Sequence, residues 1–196
     1  MTKPLIVLIA GWAHAGKDSV AKILVETYEF QKYAFADPIK QKVADDEDIP
    51  LEWCYDQKKK AEALPSNPSR TLREELIRVG EEARELDKEI WANVIAEKII
   101  KSMKKGKTKF VVSDWRMIEE LWALQKKIPE AVIVPIRVVR PSQLVSPVPD
   151  WTEYSLLGFP YWRTIYNSGT ILRLIGHVAE LVEQEIPCIW PTKQTS

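Results

Sequence analysis

Apolar and polar positions follow two patterns along this chain, one typical of buried strands and one of amphipathic helices. Residues 5–10 form a continuous apolar run that ends at Gly11, which predicts a strand buried on both faces of a parallel sheet. Apolar residues then recur every three or four positions and predict a helix over residues 16–28. The residues that form this face are Val20, Ile23, Leu24 and Thr27. The chain therefore opens with a strand, a glycine-bearing loop and a helix.

The same succession of strands and helices continues to residue 185. Further strands are predicted at residues 32–35, 109–113 and 131–139. Further helices are predicted at residues 71–86, 88–104, 118–127 and 170–185, and another begins near Pro38. Such alternation predicts an α/β fold in three layers, with a central parallel sheet flanked by helices on both faces.

In two segments the apolar residues do not recur with the spacing of a helix or a strand. Residues 47–69 are charged, contain prolines and are expected to be helical only in part. Residues 141–160 are rich in proline, and an irregular stretch of this length in a compact domain is seldom just a connection between two elements. We therefore predict a functional, lid-like loop at about residues 141–162.

The composition excludes several classes of protein. The chain has 196 residues, enough for one domain, and its 28 basic and 28 acidic residues give no net charge. Bulk attraction to nucleic acid is therefore not expected, and any anion site must be local. The opening apolar run is too short to cross a membrane, and Cys54 and Cys188 lack the spacing of a metal site or a disulfide framework. These features predict a cytoplasmic protein that binds neither nucleic acid nor membrane.

The loop after the first strand carries the strongest chemical signal. Residues 11–17 read G-W-A-H-A-G-K, the G-x-x-x-x-G-K spacing of a phosphate-binding loop, between a strand and a helix. Glycines permit the tight curl, backbone N–H groups converge on phosphate oxygens, and the helix N-terminus adds positive potential. Lys17 is expected to reach the β- and γ-phosphates of ATP. The predicted ATP-binding residues of this segment are Gly11, Ala13, His14, Ala15, Gly16, Lys17, Asp18 and Ser19.

The position after Lys17 departs from the common pattern. A serine or threonine usually stands there and ligates magnesium, but this chain has Asp18 followed by Ser19. Asp18 and Ser19 are therefore candidate ligands for Mg²⁺. Whether Asp18 would hold the ion directly or through water stays open.

Beyond these residues, the chain resembles the deoxynucleoside monophosphate kinases of phage type. Residues 16–21 read G-K-D-S-V-A, similar to the family's loop, in which G-K-D is followed by Ser or Thr. Residues 33–40 read Y-A-F-A-D-P-I-K and resemble its F-A-D-P-x-K segment. The resemblance makes Asp37 and Lys40 candidate residues of the monophosphate site. It extends from residue 5 to about residue 182, with the motifs in the family's order.

A third segment supplies further candidates for binding the acceptor nucleotide. Residues 70–76 read R-T-L-R-E-E-L and precede a glycine, Arg84 and Trp91, similar to the family's T-x-R-E-x-L … G … R … W block. The family's helix faces the acceptor, which implies that Arg73 and Arg84 clamp the acceptor phosphate and that Trp91 lines the base pocket. For Arg84 an alternative stays open, namely ion pairing on the helix surface with neighbours such as Glu81.

A fourth segment follows the predicted strand at residues 109–113. Residues 111–116 read V-V-S-D-W-R and, with Glu120, resemble the family's D-x-R … E segment. An acid that emerges from a parallel strand lies at the carboxyl edge of the sheet, where ligands bind. The resemblance implies that Asp114 holds magnesium through water and that Arg116 neutralises charge on the transferred phosphate. A local salt bridge is the alternative for these two residues.

The last matching segments lie near the C-terminus. Glu153 stands where the family commonly has the acid of a Ser-Glu pair, which makes it a candidate acceptor-binding residue. Residues 165–170 read I-Y-N-S-G-T and are similar to the family's N-x-G-T segment. Asn167 is also open to interpretation as a turn residue and helix cap.

The predicted lid-like loop has an unusual composition for its role. Lids of this kind usually bring cations to the phosphates, yet residues 141–162 contain no Lys or Arg. Arginines flank the loop instead, at positions 137, 140 and 163. Arg140 is the one predicted to bind ATP.

The resemblance implies that the chain transfers the γ-phosphoryl group of ATP, with Mg²⁺, to a (deoxy)nucleoside monophosphate. It implies a single domain over residues 1–196, an acceptor-binding helical region at about 37–104, and a location in the host cytoplasm if a phage encodes the chain. The implied catalytic residues are Lys17, Arg73, Asp114 and Arg116. Two other functions stay open: another small-molecule kinase, such as one acting on phosphomevalonate, and a non-catalytic ATP-binding regulatory protein. Whether the chain forms a homodimer is also open.

Overall fold

The fold is built on one parallel sheet of five strands. The computed structural model describes residues 3–143 and 155–190. The strands are β1 (Leu5–Ala10), β2 (Gln31–Tyr33), β3 (Lys109–Val112), β4 (Val132–Val139) and β5 (Arg163–Tyr166). Their order across the sheet is β2-β3-β1-β4-β5, and every neighbouring pair runs parallel. This arrangement confirms the predicted α/β fold.

Helices connect the strands and cover the sheet. They are α1 (Lys17–Tyr28), α2 (Ala36–Asp46), α3 (Leu72–Leu86), α4 (Ile90–Met103), α5 (Ile118–Lys127), α6 (Ile171–Glu180) and α7 (Ile186–Ile189). Short 3-10 turns occur at Leu51–Cys54, Lys59–Ala61 and Pro141–Gln143, and a π-helical turn at Leu181–Glu185 joins α6 to α7. Among residues 3–143 and 155–190, no helix has the length and hydrophobicity needed to cross a membrane.

The central strand β1 separates two hydrophobic layers. All six of its residues are buried, and it pairs with β3 on one side and β4 on the other. Because side chains of a strand alternate between faces, Leu5, Val7 and Ile9 pack in the layer of α1 and α6. The remaining three residues pack in the layer of α4 and α5. Burial on both faces explains why β1 is an uninterrupted apolar run.

A third, smaller hydrophobic cluster lies away from the sheet, between α2, α3 and the start of α4. Its buried members are Ile39, Val43, Ala44, Cys54, Leu64, Leu72, Val79 and Trp91. Thr71 begins α3 with a capping box, in which Thr71 and Glu74 satisfy each other's backbone N–H groups. The segment at residues 47–69 therefore folds against a core of its own.

The structure differs from the predicted elements at three places. The edge strand β5 was not predicted, because it has only four residues and a single fully buried one, Ile165. The predicted strand at 32–35 is shorter and begins earlier, at Gln31–Tyr33. The predicted final helix at 170–185 is divided by the π-helical turn at Leu181–Glu185. Short edge strands and local changes of helical pitch leave little periodic signal in a sequence.

Candidate active site

The phosphate-binding loop connects β1 to α1 at the carboxyl edge of the sheet. Gly11 has φ 142° and Gly16 has φ 106°, and both values lie in the region that favours glycine. His14 also adopts a positive φ, 59°. A Cβ added at Gly11 would lie 2.3 Å from the backbone oxygen of Val138 on β4. The loop is thus curled against the neighbouring strand so closely that only glycine fits at position 11.

Lys17, the first residue of α1, folds back over this loop. Its Nζ donates hydrogen bonds to the backbone oxygens of Gly11, at 2.6 Å, and Trp12, at 2.9 Å. These two contacts hold the ammonium group above the curl rather than in bulk solvent. The arrangement combines a cation with the N-terminus of α1, which attracts anions such as phosphate.

Asn167, which follows β5, holds the far side of the loop. Its Nδ2 donates to the backbone oxygen of Ala15 at 2.9 Å, and its own backbone N–H donates to Val139 at 2.7 Å. A Cβ added at Gly16 would lie 2.3 Å from this Nδ2. The alternative of Asn167 as a helix cap is wrong, because Thr170 is the residue that caps α6. Sequence reasoning noted the position but missed its contact with the loop.

Asp114 lies just beyond the end of β3, beside β1. Its two carboxylate oxygens accept hydrogen bonds from the backbone N–H groups of Phe35, at 2.7 Å, and Ala36, at 2.9 Å. Burial raises the pKa of this carboxyl above its ordinary value, although the two backbone bonds and the charge of Lys40 act in the opposite direction. Asp114 therefore joins the end of β3 to the start of α2.

Glu120 organises the turn that carries Arg116. Its Oε2 accepts from the backbone N–H groups of Arg116 and Met117, both at 3.0 Å. The side chain is buried, and desolvation raises the pKa of Glu120 to about 7, with a smaller contribution from the charge of Asp114. The charge of Arg84 acts in the opposite direction. Ser155 fixes the same turn from outside by donating to the backbone oxygen of Arg116.

A small pocket opens between the phosphate loop and this turn. It is lined by Ala10, Gly11, Trp12, Trp115, Arg116, Arg137, Leu156, Leu157 and Tyr161. Two of these residues are arginines from different strand ends, and the guanidinium of Arg137 lies 5.9 Å from the ring centroid of Tyr161. Arg137 is a candidate that the resemblance did not single out. The pocket therefore places positive charge beside the phosphate loop.

The arginines that flank the predicted lid have different environments. The guanidinium of Arg140 lies 3.9 Å from where a Cβ at Gly16 would be, which places it against the phosphate loop. Arg163 instead forms ion pairs with Glu180, at 2.5 Å, and with Glu185. Arg140 thus lies against the loop and its role with ATP stays a prediction, whereas Arg163 ties β5 to the C-terminal helices.

The structure describes only part of the predicted lid. Glu153 and residues 144–154 of the lid lie outside the described residues. After them, Leu156, Phe159 and Tyr161 pack on the core around Trp115, whose ring is 4.9 Å from that of Phe159 in an edge-to-face arrangement.

Two predicted acceptor-binding residues, Asp37 and Lys40, pair with each other on α2, and a third, Arg73, lies in the first turn of α3. Asp37 accepts hydrogen bonds from the hydroxyl of Tyr55, at 2.9 Å, and from Nζ of Lys40, at 3.3 Å. Arg73, in the first turn of α3, donates to the side-chain oxygen of Gln57 at 2.9 Å. Their roles in substrate binding stay predictions.

The side chains of Trp91 and Arg84 both lie near Gly80. Trp91 is only 6% exposed, and its indole N–H donates to the backbone oxygen of Gly80 at 3.2 Å. It packs in the third hydrophobic cluster, so core packing is the role that its contacts support, and the base-pocket role stays a prediction. The side chain of Arg84 lies against Gly80 and acts electrostatically on buried Glu120. No ion pair of Arg84 with Glu81 occurs in the described part of the chain.

The candidate magnesium ligands are not gathered into a preformed cage. Asp18 is exposed and pairs with Lys32 at 2.7 Å, Ser19 is partly buried, and within the described ranges no three acidic, His or Cys residues form a metal cluster. In phosphoryl-transfer sites Mg²⁺ is held largely by substrate phosphates and waters, with one or two carboxylates. Asp114, already bound to two backbone N–H groups, fits such a water-mediated role, and the ion would neutralise phosphate charge there.

Comparisons with known proteins support the fold. No protein-family model matches the sequence, and no curated protein matches it with significant similarity. An unliganded sugar kinase from Janibacter sp. HTCC2649 has a TM-score of 0.50 and 12% identity, covering 92% of this chain and 95% of its own. Shikimate kinase from Aquifex aeolicus VF5 (TM-score 0.46, 12% identity, 91% and 96% covered) and dephospho-CoA kinase from Campylobacter jejuni (0.46, 14%, 91% and 95%) are also similar. The first of these, with the parallel sheet and the phosphate loop, shows that the chain has a P-loop kinase fold.

Proposed function

We propose that this chain is a kinase that transfers the γ-phosphoryl group of ATP to a (deoxy)nucleoside monophosphate. The observation that carries the proposal is the gathering of complementary groups around the phosphate loop. Lys17 lies over the loop, and Arg116 lines a pocket that the loop also lines. Asp114 follows the neighbouring strand at the same edge of the sheet. Phosphoryl transfer needs positioning and charge stabilisation and no covalent enzyme intermediate, and together with Mg²⁺ this set of groups suits that task.

The donor half of the reaction is assigned to the loop. The backbone N–H groups of residues 11–17 and the start of α1 would bind the β- and γ-phosphates of ATP. Lys17 and Arg140 would neutralise their charge, because both side chains lie against the loop. A cation that contacts charge developing in the transition state lowers the barrier more than it stabilises the bound substrate.

The acceptor half is assigned to the region between α2 and α3. Lys40 lies on α2 and Arg73 on α3, and the charge of Arg84 on α3 acts on Glu120. Cations on this side of the sheet edge suit an acceptor that carries its own phosphate, as a nucleoside monophosphate does. Which base and which sugar are accepted is left to the assay.

The test is an ADP-release assay with ATP and Mg²⁺, offering each ribo- and deoxyribonucleoside monophosphate in turn. Phosphomevalonate, shikimate and gluconate are offered in parallel as acceptors of other classes. We expect acceptor-dependent ADP release with at least one monophosphate. Lys17→Ala is expected to lower kcat by about 10²- to 10³-fold, the usual effect of removing one charge-stabilising group.

The alternatives give different results in the same assay. Turnover only with an acceptor that is not a nucleotide would replace the proposal with another small-molecule kinase. Binding of ATP with no turnover on any acceptor would favour a non-catalytic regulatory protein. ADP release that is equal with and without acceptor would indicate an ATPase and would also contradict the proposal.

A further inference from the structure

Arg137 carries a charge on β4, an interior strand of the sheet, where apolar residues are usual. Its neighbours Ile136 and Val138 are buried in the layer of α1 and α6. Because side chains of a strand alternate between faces, Arg137 lies on the opposite face, that of α4 and α5. In the register of the sheet it stands beside Ala10, the last residue of β1 before the phosphate loop. The strand thus places Arg137 next to the start of this loop.

The side chain of Arg137 is positioned by an aromatic ring. Its guanidinium lies 5.9 Å from the ring centroid of Tyr161. The hydroxyl of Tyr161 donates to the backbone oxygen of Leu156 at 3.0 Å, and its ring meets that of Trp115 edge to face, with 5.9 Å between the centroids. Tyr161 is therefore fixed by a hydrogen bond and by packing, and it gives the guanidinium a fixed neighbour.

The charge of Arg137 is not neutralised within the described ranges, where no carboxylate lies within ion-pair distance of it. Arg163 on the adjacent strand β5 is different, because it pairs with Glu180 at 2.5 Å and also with Glu185. Arg137 is partly buried, and burying a cation without an acidic partner is unfavourable in the protein alone. An anion that enters beside Arg137 would remove this cost.

The pocket that Arg137 lines lies at one end of the phosphate loop. Gly11 and Trp12 also line it, together with Arg116. The backbone oxygens of Gly11 and Trp12 are the two acceptors for the ammonium of Lys17. In a phosphate-binding loop this lysine reaches the β- and γ-phosphates, while the backbone N–H groups hold the α- and β-phosphates. The pocket therefore adjoins the end of the loop at which the terminal phosphate would lie.

Arg140, just after β4, lies at the other end of the loop. Its guanidinium is 3.9 Å from where a Cβ at Gly16 would be, and Gly16 directly precedes α1. The N-terminus of a helix in this position attracts the inner phosphates of the nucleotide. Two arginines three positions apart in the sequence are thus placed at opposite ends of the loop.

We propose that Arg137 binds the γ-phosphoryl group of ATP and stabilises its charge during transfer, whereas Arg140 binds the inner phosphates. This inference rests on the proposed function and deepens it, because it adds a catalytic residue that belongs to none of the recognised motifs. A planar guanidinium can contact two oxygens of the γ-phosphoryl group at once, and an arginine in such a position is suited to the charge that develops there.

The reaction step needs no proton from Arg137. An oxygen of the acceptor phosphate forms a bond to the γ-phosphorus, and the bond from that phosphorus to the β–γ bridging oxygen breaks. The electron pair of the broken bond leaves with ADP. Arg137 stays protonated throughout and acts only through its charge and hydrogen bonds.

The test compares Arg137→Met with Arg140→Met by isothermal titration in the presence of Mg²⁺. The probes are ADP and the non-hydrolysable β,γ-imido analogue of ATP, which differ by the terminal phosphate and need no acceptor. We expect Arg137→Met to weaken binding of the analogue about tenfold or more and binding of ADP less than about twofold. Arg140→Met should weaken both ligands to a similar extent, because both contain the inner phosphates.

A further variant controls for the loss of one positive charge. Lys127 is exposed at the end of α5, so Lys127→Met should change neither affinity. Arg137→Lys keeps the charge but lacks the planar fork, and it should bind the analogue more tightly than Arg137→Met does. Equal weakening of ADP and the analogue in Arg137→Met, or weakening of neither, would overturn the inference.

Kinetics and thermal unfolding separate a catalytic role from a structural one. The kcat of Arg137→Met is expected to fall about 10²- to 10³-fold, with little change in the KM for the acceptor. Without nucleotide, this variant should unfold at about the temperature of the parent, because an apolar side chain replaces an unneutralised cation. A raised KM for the acceptor with unchanged binding of the analogue would overturn the inference, since Arg137 would then contact the acceptor.

Failure of the inference is distinguishable from failure of the proposed function. Turnover of a monophosphate by Arg137→Met at the kcat of the parent would overturn the inference and keep the kinase. Selective loss of analogue binding in Arg137→Met, with no turnover of any monophosphate by the parent, would keep the γ-phosphate contact and overturn the proposed function.

Discussion

Around the phosphate loop, steric contacts and hydrogen bonds to the backbone fix where the residues lie. Between α2 and α3, contacts among charged side chains do so. Gly11 and Gly16 pack against Val138 and Asn167 at distances that no added Cβ tolerates. On the other side, the carboxylate of Glu75 is buried among arginines, and Lys40 is held by Tyr55 and Asp37. The phosphate loop adjoins the fully buried strand β1, while the region between α2 and α3 packs on the smaller, third hydrophobic cluster.

Under the proposed function, this difference suits two binding tasks. A loop of backbone N–H groups recognises phosphates of one fixed geometry, so rigidity there is favourable. A surface built from long charged side chains can adjust to an acceptor and close on it, because such side chains retain rotamer freedom until they are paired. Substitutions in the phosphate loop should therefore distort the shape of the loop. Substitutions between α2 and α3 should alter the charge of that surface.

The largest effect is expected from Gly11→Ala, which tests the steric side directly. The new Cβ would overlap the backbone oxygen of Val138, at 2.3 Å, at a residue whose φ is 142°. Overpacking of about 1–3 kcal/mol and backbone strain of about 1–3 kcal/mol should lower the free energy of unfolding and abolish ATP binding. Chemical denaturation and titration with an ATP analogue measure both.

Gly106→Ala is the matched control for this experiment. Gly106 also has a positive φ, 82°, but an added Cβ would meet nothing within 4 Å. The free energy of unfolding of Gly106→Ala should fall only by the backbone-strain contribution, and this variant should bind the ATP analogue normally. Equal loss of binding in the two variants would mean that the contact with Val138 does not shape the loop.

The next effect concerns the buried carboxyl of Glu120, on which the charges of Asp114 and Arg84 act in opposite directions. Its pKa is raised to about 7 in the folded protein, from 4.5. The folded state therefore binds more protons between these values, and this contribution to stability is lost as pH rises from about 4.5 to about 7. The side chain in Glu120→Gln cannot ionise, so the free energy of unfolding of this variant should not fall over that pH range for this reason.

The measurement is the free energy of unfolding of both proteins between pH 5 and pH 8. The stability of Glu120→Gln relative to the parent should rise across this range by an amount of the order of 1–3 kcal/mol. A constant difference between the two proteins would show that Glu120 does not titrate in this range and that its burial is compensated in some other way.

The smallest effect is expected from Asn167→Ala, which sharpens the view that the loop is held by backbone contacts. Loss of the bond to Ala15 leaves a buried carbonyl without this partner, at a cost of about 1–3 kcal/mol. Part of this cost should appear as a KM for ATP raised about tenfold, with little change in the KM for the acceptor. Steady-state kinetics with each substrate varied in turn provide the measurement.

Asn93→Ala serves as the control for Asn167→Ala. Asn93 lies in α4, and its side-chain oxygen has no hydrogen-bond partner in the described structure. Its replacement should leave both KM values unchanged. A similar rise of the KM for ATP in the two variants would show that general destabilisation, and not the loop contact, is responsible.

The periodic parts of the fold could be predicted from the sequence. The buried run of β1 and the amphipathic α5 have the predicted bounds, because burial on two faces and burial of one helical stripe leave distinct patterns. The phosphate loop was also recognisable, since its glycines and Lys17 are close in sequence. The strand β5 was missed, because its pairing with β4 depends on residues distant along the chain.

For the candidate site, the sequence by itself determined the loop, its lysine and the acid at the end of β3, because local motifs specify them. Only the tertiary structure brought Asn167 to Ala15 and placed Trp91 in a core. These relations connect residues that are many positions apart. Their free energies depend on burial and on the distance between charges, which exist only once the chain has folded.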